Sequence, residues 1–493
     1  MYSRSIVSTK GHGAARMDAR TERIATPLAV DLDGTLIATD LLWESVFLLL
    51  RRNPLYLFLL PVWLLSGKAH LKCEIAERVE IDPAGLPYRP EILRRLAEDK
   101  AAGRHIALAT AQPRKFAEVV AAHLGFFDKV ISTDRGCNMT SGSKRRALVE
   151  AYGDGGFDYA GNEKADIAVF EAARAAIVVA PDTAAARWHA RHGGELVAAP
   201  RPTLRTMAKM LRAHQWLKNT LIAVPLVLSH EYFNPAAVVA CALAFISFSS
   251  AASAIYILND LFDLSLDRAH PTKRNRPFAS GVLSIPFGFA AIGALLAFSF
   301  AVALWLPPLF MLVLCGYLAA TTAYSLSFKR MLLIDVFALS GLYTIRILAG
   351  GVATNAEWSF WLLAFSIFFF LSLALVKRYV ELRGTDVPPG ERMAGRGYRP
   401  EDLETISQAG MAAAFSAALV MAMFIDSEAA TGQYSRPWLM WPLAPLILYL
   451  TMRLWILARR DTMHDDPVVF IIRDWRSQLV GGFGILLLLA AGM

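Results

Sequence analysis

A chain of 493 residues that is 55% hydrophobic and only 19% charged is too long for one ordinary soluble domain and too apolar to be soluble throughout. Its formal net charge of +8 falls largely between apolar stretches, which argues against a nucleic-acid-binding face and for membrane topology. The four cysteines, Cys73, Cys137, Cys241 and Cys315, lack metal-ligand spacing and read as reduced packing residues rather than a disulfide frame. Residues 1–25 are polar and basic without an apolar core, so a disordered tail is expected there and not a signal peptide.

From residue 26 to about 195, short apolar runs alternate with helical stretches: Ala29-Val30, Ile106–Ala109, Lys129–Ser132, Asp158–Ala160 and Ala176–Val179. That alternation predicts an α/β domain with a Rossmann-like parallel sheet. Asp31-Leu32-Asp33-Gly34-Thr35 follows the first run. Two carboxylates two apart at a strand end can share one site, Asp31 attacking phosphorus and Asp33 acting as acid and base. Thr110 follows the second run and suits a phosphoryl oxygen; Lys144 can stabilise phosphoryl charge; Asn162 and Asp166, after Gly161, offer oxygen ligands to Mg²⁺. An insertion over about 40–100 reads as a helical cap, and its apolar runs Val46–Leu50 and Leu55–Leu65, with Trp43 and Trp63, as a segment able to touch a bilayer.

This order of motifs resembles the haloacid-dehalogenase superfamily over residues 26–195. The resemblance implies a phosphohydrolase, with Asp31 as nucleophile, Asp33 as acid/base, Thr110 and Lys144 on the phosphoryl group, and Asp31, Asp33, Asn162 and Asp166 around Mg²⁺. The fourth motif is often Gly-Asp and here is Gly161-Asn162, so a regulatory relic is the alternative to a live phosphatase.

Residues 196–216 form a linker and the entry to the membrane. Apolar spans of bilayer length then recur near 217–230, 235–258, 283–304, 307–327, 332–351, 358–376, 407–426, 437–457 and 477–492, predicting an all-α polytopic bundle of about nine helices over 217–493. Alternate loops are rich in Lys and Arg, which places those loops and the preceding soluble domain on the cytoplasmic side, at a bacterial inner membrane. Asn259, Asp260, Asp263 and Asp267 end the second span; on a continuing helix Asn259, Asp263 and Asp267 share a face and call for a cation such as Mg²⁺. Lys273, Arg274 and Arg276 follow and suit a diphosphate leaving group. Tyr324 and Lys329 end the fourth span, and Asp335 and Arg346 lie within the fifth, where ionisable groups mark function or a local pair of Asp335 with Lys329 or Arg330.

Residues 205–493 are similar to the UbiA-type prenyltransferase superfamily. That likeness implies a bundle of nine spans around a lipid-accessible cavity with Mg²⁺ held by aspartate-rich motifs, the first matched by Asn259, Asp260, Asp263 and Asp267. Where the second such motif is expected, this chain has Lys377-Arg378-Tyr379-Val380-Glu381-Leu382, with Glu381 the one acid. Gln215-Trp216, Lys218-Asn219, the 270–274 run, Arg346 and Lys377-Arg378 are similar to the decaprenyl-phosphate phosphoribosyltransferase branch of cell-envelope arabinan synthesis. The branch implies transfer of phosphoribosyl from phosphoribosyl diphosphate to a polyprenyl phosphate, with Lys218, Asn219, Lys273, Arg274, Arg276, Tyr324, Lys329, Arg346, Lys377 and Arg378 on the substrates and Asp260, Asp263 and Asp267 catalytic. The fused phosphatase would then remove the 5-phosphate. Polyprenyl transfer to an aromatic acceptor, and a non-catalytic lipid-phosphate scaffold, are the alternatives. Nucleic acid is not an expected partner, and the sequence leaves the oligomeric state open.

Overall fold

The computed structural model describes residues 24–135, 138–357, 359–385, 387–388, 390–393, 395–463 and 466–492. The expected disordered tail, apart from residues 24 and 25, and Cys137 lie outside the described residues; Cys73, Cys241 and Cys315 are free thiols. The chain forms two compact units, Met1–Lys209 with Leu258–Phe289, and Met210–Ile257 with Ala290–Met493.

In the first unit six parallel strands are ordered β3-β2-β1-β4-β5-β6: β1 Leu28–Val30, β2 Ile106–Pro113, β3 Lys129–Thr133, β4 Asp158–Gly161, β5 Ala175–Val179 and β6 Glu195–Val197. The five expected runs are all strands, and β6 is added at the edge, paired with β5 through Ile177–Glu195. The inner strands are buried almost throughout, which suits runs of Ala, Val, Leu and Ile that face helices on both sides. The chain reverses direction across the sheet at β1, so the carboxyl ends of β1, β2 and β4 define a crevice, the place where such sheets bind ligands.

The insertion folds as three helices, α1 Leu41–Arg52, α2 Tyr56–Leu65 and α3 Lys68–Arg78. Asp40 caps α1 by accepting from the Leu42 amide, and Arg51 and Arg52 sit at its carboxyl end, where cations are favoured. Helix α2 is unusual: its ten residues are all apolar or aromatic, none is buried, and Phe58 and Leu65 are 74% and 89% exposed. Helices α4 Pro90–Ala101, α5 Arg114–Leu124, α6 Ser141–Tyr152 and α7 Thr183–His192 complete the layers on the sheet.

The long helices of the rest of the chain, with the short α9 between the first two, are α8 Pro235–Phe262, α9 Leu264–Ala269, α10 Ile285–Ala303, α11 Pro308–Leu326, α12 Ile334–Thr354, α13 Phe360–Arg383, α14 Leu403–Ile425, α15 Leu443–Arg459 and α16 Trp475–Gly492. Among the described residues eight helices are long and apolar enough to cross a membrane: all of these except α9, with α14 and α15 lengthened by short 3-10 turns. The chain is an integral, multi-pass membrane protein. The expected span at 217–230 is a correction: Ala213–Ala223 is 3-10 and Val224–Leu228 a short α-helix. Pro225 lacks the donor that would carry a helix through, and Asn219 and Lys218 turn inward to polar partners. The segment packs closely within the second unit, where a Cβ on Gly350 of α12 would lie 2.0 Å from the Ile222 carbonyl oxygen.

Candidate functional site

Two polar centres lie in the first unit. The first gathers the expected phosphatase residues. Asp31 follows β1 and accepts a hydrogen bond from Lys144 Nζ at 2.8 Å. The same ammonium donates to Asp166 Oδ1 at 3.1 Å and to the Tyr159 hydroxyl at 2.9 Å. Tyr159 in turn donates to Asp166 at 2.6 Å. The other oxygen of Asp166 accepts from the Asn162 and Glu163 amides. Asp166, expected as a metal ligand, therefore holds Lys144 in place with both of its oxygens engaged.

Asp33 is fixed from two sides, by the Leu41 amide at 2.9 Å and by Gln112 Nε2 at 2.6 Å. The Thr110 hydroxyl is buried and accepts from the Gln112 amide at 3.1 Å. Gly34 adopts φ +73°, and a Cβ there would lie 2.1 Å from Asn162 Nδ2, so the turn after Asp33 presses directly on Asn162. The Asn162 amide oxygen accepts from Thr35 at 3.2 Å.

Electrostatics mark this centre. Burial, opposed by Lys144, raises the Asp31 carboxyl to about 7. Burial and then the charges of Asp40 and Asp31 push Asp33 well above its usual range. Burial works against the Lys144 ammonium, but Asp166 and Asp31 win and raise it. Asp31, which shares Lys144 with Asp166, and half-buried Asp33, which has no ion pair among the described residues, lie with the Asn162 amide oxygen in a hard-oxygen set that fits a divalent cation.

Two members were not anticipated. Gln112 lies two residues beyond Thr110 on the same strand and so on the same side, a period-two signal present in the sequence. Lys72 enters from cap helix α3 and donates to the Ala111 carbonyl at 2.6 Å. Burial lowers its pKa, opposed by Asp33 and Asp40. No local pattern announces it, because the contact spans 39 residues of chain.

The second centre is the acidic end of α8. The helix does not run on: it stops at Phe262, Asp263 takes a non-helical φ of −103°, and α9 begins at Leu264. The expected shared face of Asn259, Asp263 and Asp267 is thereby altered. The buried pair is Asp260 and Asp267, and Arg276 Nη1 lies between them at 3.1 and 2.6 Å. Among the described residues no three His, Cys, Asp or Glu side chains form a ready metal cage. Two buried carboxylates sharing one cation still fit a site built for positive charge. Lys273 and Arg274 sit exposed on the 3-10 turn that follows α9.

In the second unit a cationic cluster surrounds Asp466, a residue the sequence did not single out because it lies in a loop far from every motif. Its Oδ2 accepts from Lys218 Nζ at 2.7 Å and from Lys377 Nζ at 3.2 Å, and its Oδ1 from the Tyr343 hydroxyl at 3.1 Å. Burial would raise this carboxyl, but Lys377 and Lys218 hold it below the usual carboxylate range. Arg346 is buried in α12. It donates through Nε to Asn219 at 2.8 Å and lies over the Tyr317 and Tyr343 rings at 5.1 and 5.8 Å. Lys218, Asn219, Arg346 and Lys377 thus belong to one polar network within this unit.

Arg378 is separate from them. It forms ion pairs with Asp335 and Glu381, and Arg396 reaches the same Glu381 oxygen at 3.3 Å and the Tyr324 hydroxyl at 3.3 Å. Glu381, expected as a metal ligand, is flanked by two guanidinium groups. Asp335 takes Arg378 and the Tyr398 hydroxyl at 2.6 Å rather than Lys329 or Arg330, because α13 supplies a buried cation beside it. The Lys329 carbonyl accepts from Arg396 at 3.3 Å.

A parallel α/β sheet with this carboxylate–lysine centre, followed by eight membrane-length helices with an acidic helix end, defines a membrane transferase fused to a hydrolase-like domain. The UbiA prenyltransferase family profile matches residues 219–472, and the chain belongs to that family. The haloacid dehalogenase-like hydrolase profile matches residues 28–171. The chain is 38% identical over 463 residues to "Uncharacterized protein y4nM" of Sinorhizobium fredii, covering 92% of this chain and 89% of that one. It is 32% identical over 272 residues to "Nodulation protein NoeC" of Azorhizobium caulinodans, 55% of this chain and 88% of that one. Over 190 residues it is 37% identical to the decaprenyl-phosphate phosphoribosyltransferase of Mycolicibacterium smegmatis, 37% of this chain and 59% of that enzyme.

Proposed function

We propose that the membrane domain joins phosphoribosyl diphosphate to a polyprenyl phosphate, and that the fused domain then removes the 5-phosphate. In the first step a lipid phosphate oxygen bonds to C1 of the ribose while the C1–O bond to pyrophosphate breaks. In the second, the Asp31 carboxylate attacks the 5-phosphate and Asp33 protonates the leaving ribose oxygen. Water, deprotonated by Asp33, then releases phosphate from Asp31. Lys144 offsets charge on the phosphoryl oxygens, held there by Asp166 and Tyr159. In this reading Mg²⁺ would be held by Asp31, Asp33 and Asn162 in one centre and by Asp260, Asp263 and Asp267, with Asn259, in the other. Bound there, it would neutralise phosphate charge.

The observation that carries the transferase reading is the cluster of Lys218, Lys377 and Arg346 around a single carboxylate. Two lysines on one aspartate remain net positive. A donor with an additional 5-phosphate and an acceptor that is itself an anion both need such charge. Lys273, Arg274 and Arg276 are assigned to the diphosphate, and Tyr324, Lys329 and Arg378 to the edge of the substrate site. The basic loops support a location of both activities on the cytoplasmic face of a bacterial inner membrane.

Helix α2 is inferred to enter one leaflet. Ten helical residues span about 15 Å, half of the roughly 30 Å hydrocarbon core. Within the first unit α1, its neighbour, contacts membrane helices through Phe47, which meets Phe262 at 5.1 Å and Phe289 at 5.7 Å.

The test is mass spectrometry of products formed by the purified protein in detergent with Mg²⁺. One reaction holds polyprenyl phosphate and phosphoribosyl diphosphate; the other holds a prenyl diphosphate and an aromatic acid. A pentosylated lipid phosphate is expected. Consumption of the prenyl diphosphate alone would replace this reading with ordinary prenyl transfer.

A further inference from the structure

The phosphatase centre opens into a cavity of about 700 Å³ that lies wholly within the first unit. Its lining is of two kinds. Asp33, Gly34, Asp40, Arg89 and Asn162 supply polar groups. Met207, Val282, Leu283, Ile285 and Phe287 supply apolar ones. Those last residues are where α10, a helix of membrane length and composition, begins.

The two segments that supply these linings touch. Gly281 has φ +72°, and a Cβ there would lie 2.3 Å from the Ala38 carbonyl oxygen. Any other residue would lift the 281–287 segment away from the loop that follows Asp33. A site for a free sugar phosphate has no need of an apolar wall that leads into a membrane helix.

Arg89 is the one cation among the described residues that line this cavity, against the carboxylates Asp33, Asp40 and Glu163. It is half-buried and donates through Nε to the Gly34 carbonyl at 3.1 Å. Among the described residues it forms no ion pair at contact distance, the charge of Glu91 acting on it from farther away, so its outer guanidinium nitrogens are open to a ligand. A planar guanidinium with unused donors suits a phosphate oxygen pair.

We propose that this cavity binds a phosphomonoester carried on a lipid-linked phosphodiester. Arg89 contacts the diester and sets specificity, the monoester lies at Asp31, and the first isoprenoid carbons lie against Met207, Ile285 and Phe287. The assignment rests on the sequential reading above and adds to it what the phosphatase recognises besides the phosphate it removes.

The test compares phosphate release by the full-length protein in detergent from two probes: ribose 5-phosphate, and a synthetic farnesyl-phosphoryl ribose 5-phosphate. For Arg89→Gln the ratio of kcat/KM, prenylated over free, is expected to fall by about ten- to a hundredfold, mostly through KM. Arg89→Lys should recover part of it. Phe287→Asp should lower the same ratio through the apolar lining. An unchanged ratio, or an equal loss on both probes, would overturn the Arg89 assignment while leaving the reaction order standing. Wild-type protein that hydrolyses ribose 5-phosphate but not the prenylated probe would overturn the sequential reading itself, and this assignment with it.

Discussion

Arg268 and Glu44 form a two-pronged ion pair, Nη1 to Oε2 at 2.8 Å and Nη2 to Oε1 at 2.7 Å, although 224 residues separate them. Both side chains are 8% exposed. Arg268 follows Asp267 directly, and Glu44 lies in the first turn of the cap, where it also accepts from Thr39. The pair ties the loop beyond Asp33 to the helix that carries the acidic motif. Breaking it from one side strands a buried charge, so Arg268→Met should cost about 3–5 kcal/mol, whereas Arg268→Met with Glu44→Leu should recover most of the loss. Thermal unfolding of both variants against wild type in detergent checks this; equal losses would mean that packing, not charge, dominates.

Asp31→Asn should abolish phosphate release and leave transfer intact, so that the 5-phosphorylated lipid accumulates in place of the dephosphorylated one. The neutral amide keeps the shape next to Lys144 and removes the nucleophile. Mass spectrometry reads the 5-phosphate directly. Unchanged products would show that the fused domain acts elsewhere.

Gly34→Ala should lower phosphatase kcat by about tenfold or more, since backbone strain of about 1–3 kcal/mol and the displacement of Asn162 fall on the turn that aims Asp33. Transfer activity measured in the same preparation serves as the control.

Asp466→Asn should destabilise the second unit and weaken transfer, because Lys218 and Lys377 would then face each other without a carboxylate. The carboxyl lies below its unfolded value of about 4, so its stabilisation is present above that pH and is lost as pH falls through the lower folded value. The gap in thermal midpoint between wild type and Asp466→Asn should therefore be widest near neutrality and narrow below about pH 4. A gap independent of pH would remove the charge explanation.

A spin label at Phe58→Cys, in a variant with the native cysteines replaced, should collide with oxygen more than with a polar nickel relaxant in proteoliposomes. The reverse order would place α2 in water.

The strands and the order of phosphatase residues were legible because they are local: a carboxylate pair after an apolar run, a hydroxyl after another, a lysine on the next helix. The eight membrane-length helices were legible for a similar reason, since length and apolarity are read within one segment. What stayed hidden depends on partners remote in sequence. Asp466 gains its meaning from Lys218 and Lys377, and Glu44 from Arg268. The region 217–230 misled because its apolar count matches a span, while Pro225 and the inward-turned Lys218 and Asn219 decide its shape. At α8 the expected continuous helix breaks after Phe262, so Asp260 rather than Asp263 joins Asp267 at Arg276.

The first unit is discontinuous, since Leu258–Phe289 completes what Met1–Lys209 begins. That has a consequence in time. At about 5–20 residues per second, Glu44 is made roughly 10–45 s before Arg268. During that interval the sheet can form, yet the wall supplied by residues 281–287 does not exist and α2 presents its greasy surface unshielded. The nascent hydrolase-like domain is thus an unfinished vessel until the first long membrane helix has been inserted and the chain has returned. Quality control that samples this interval would see an aggregation-prone intermediate, and substitutions in 258–289 would register as failures of a domain whose larger segment ends at Lys209, with residues 210–257 in between.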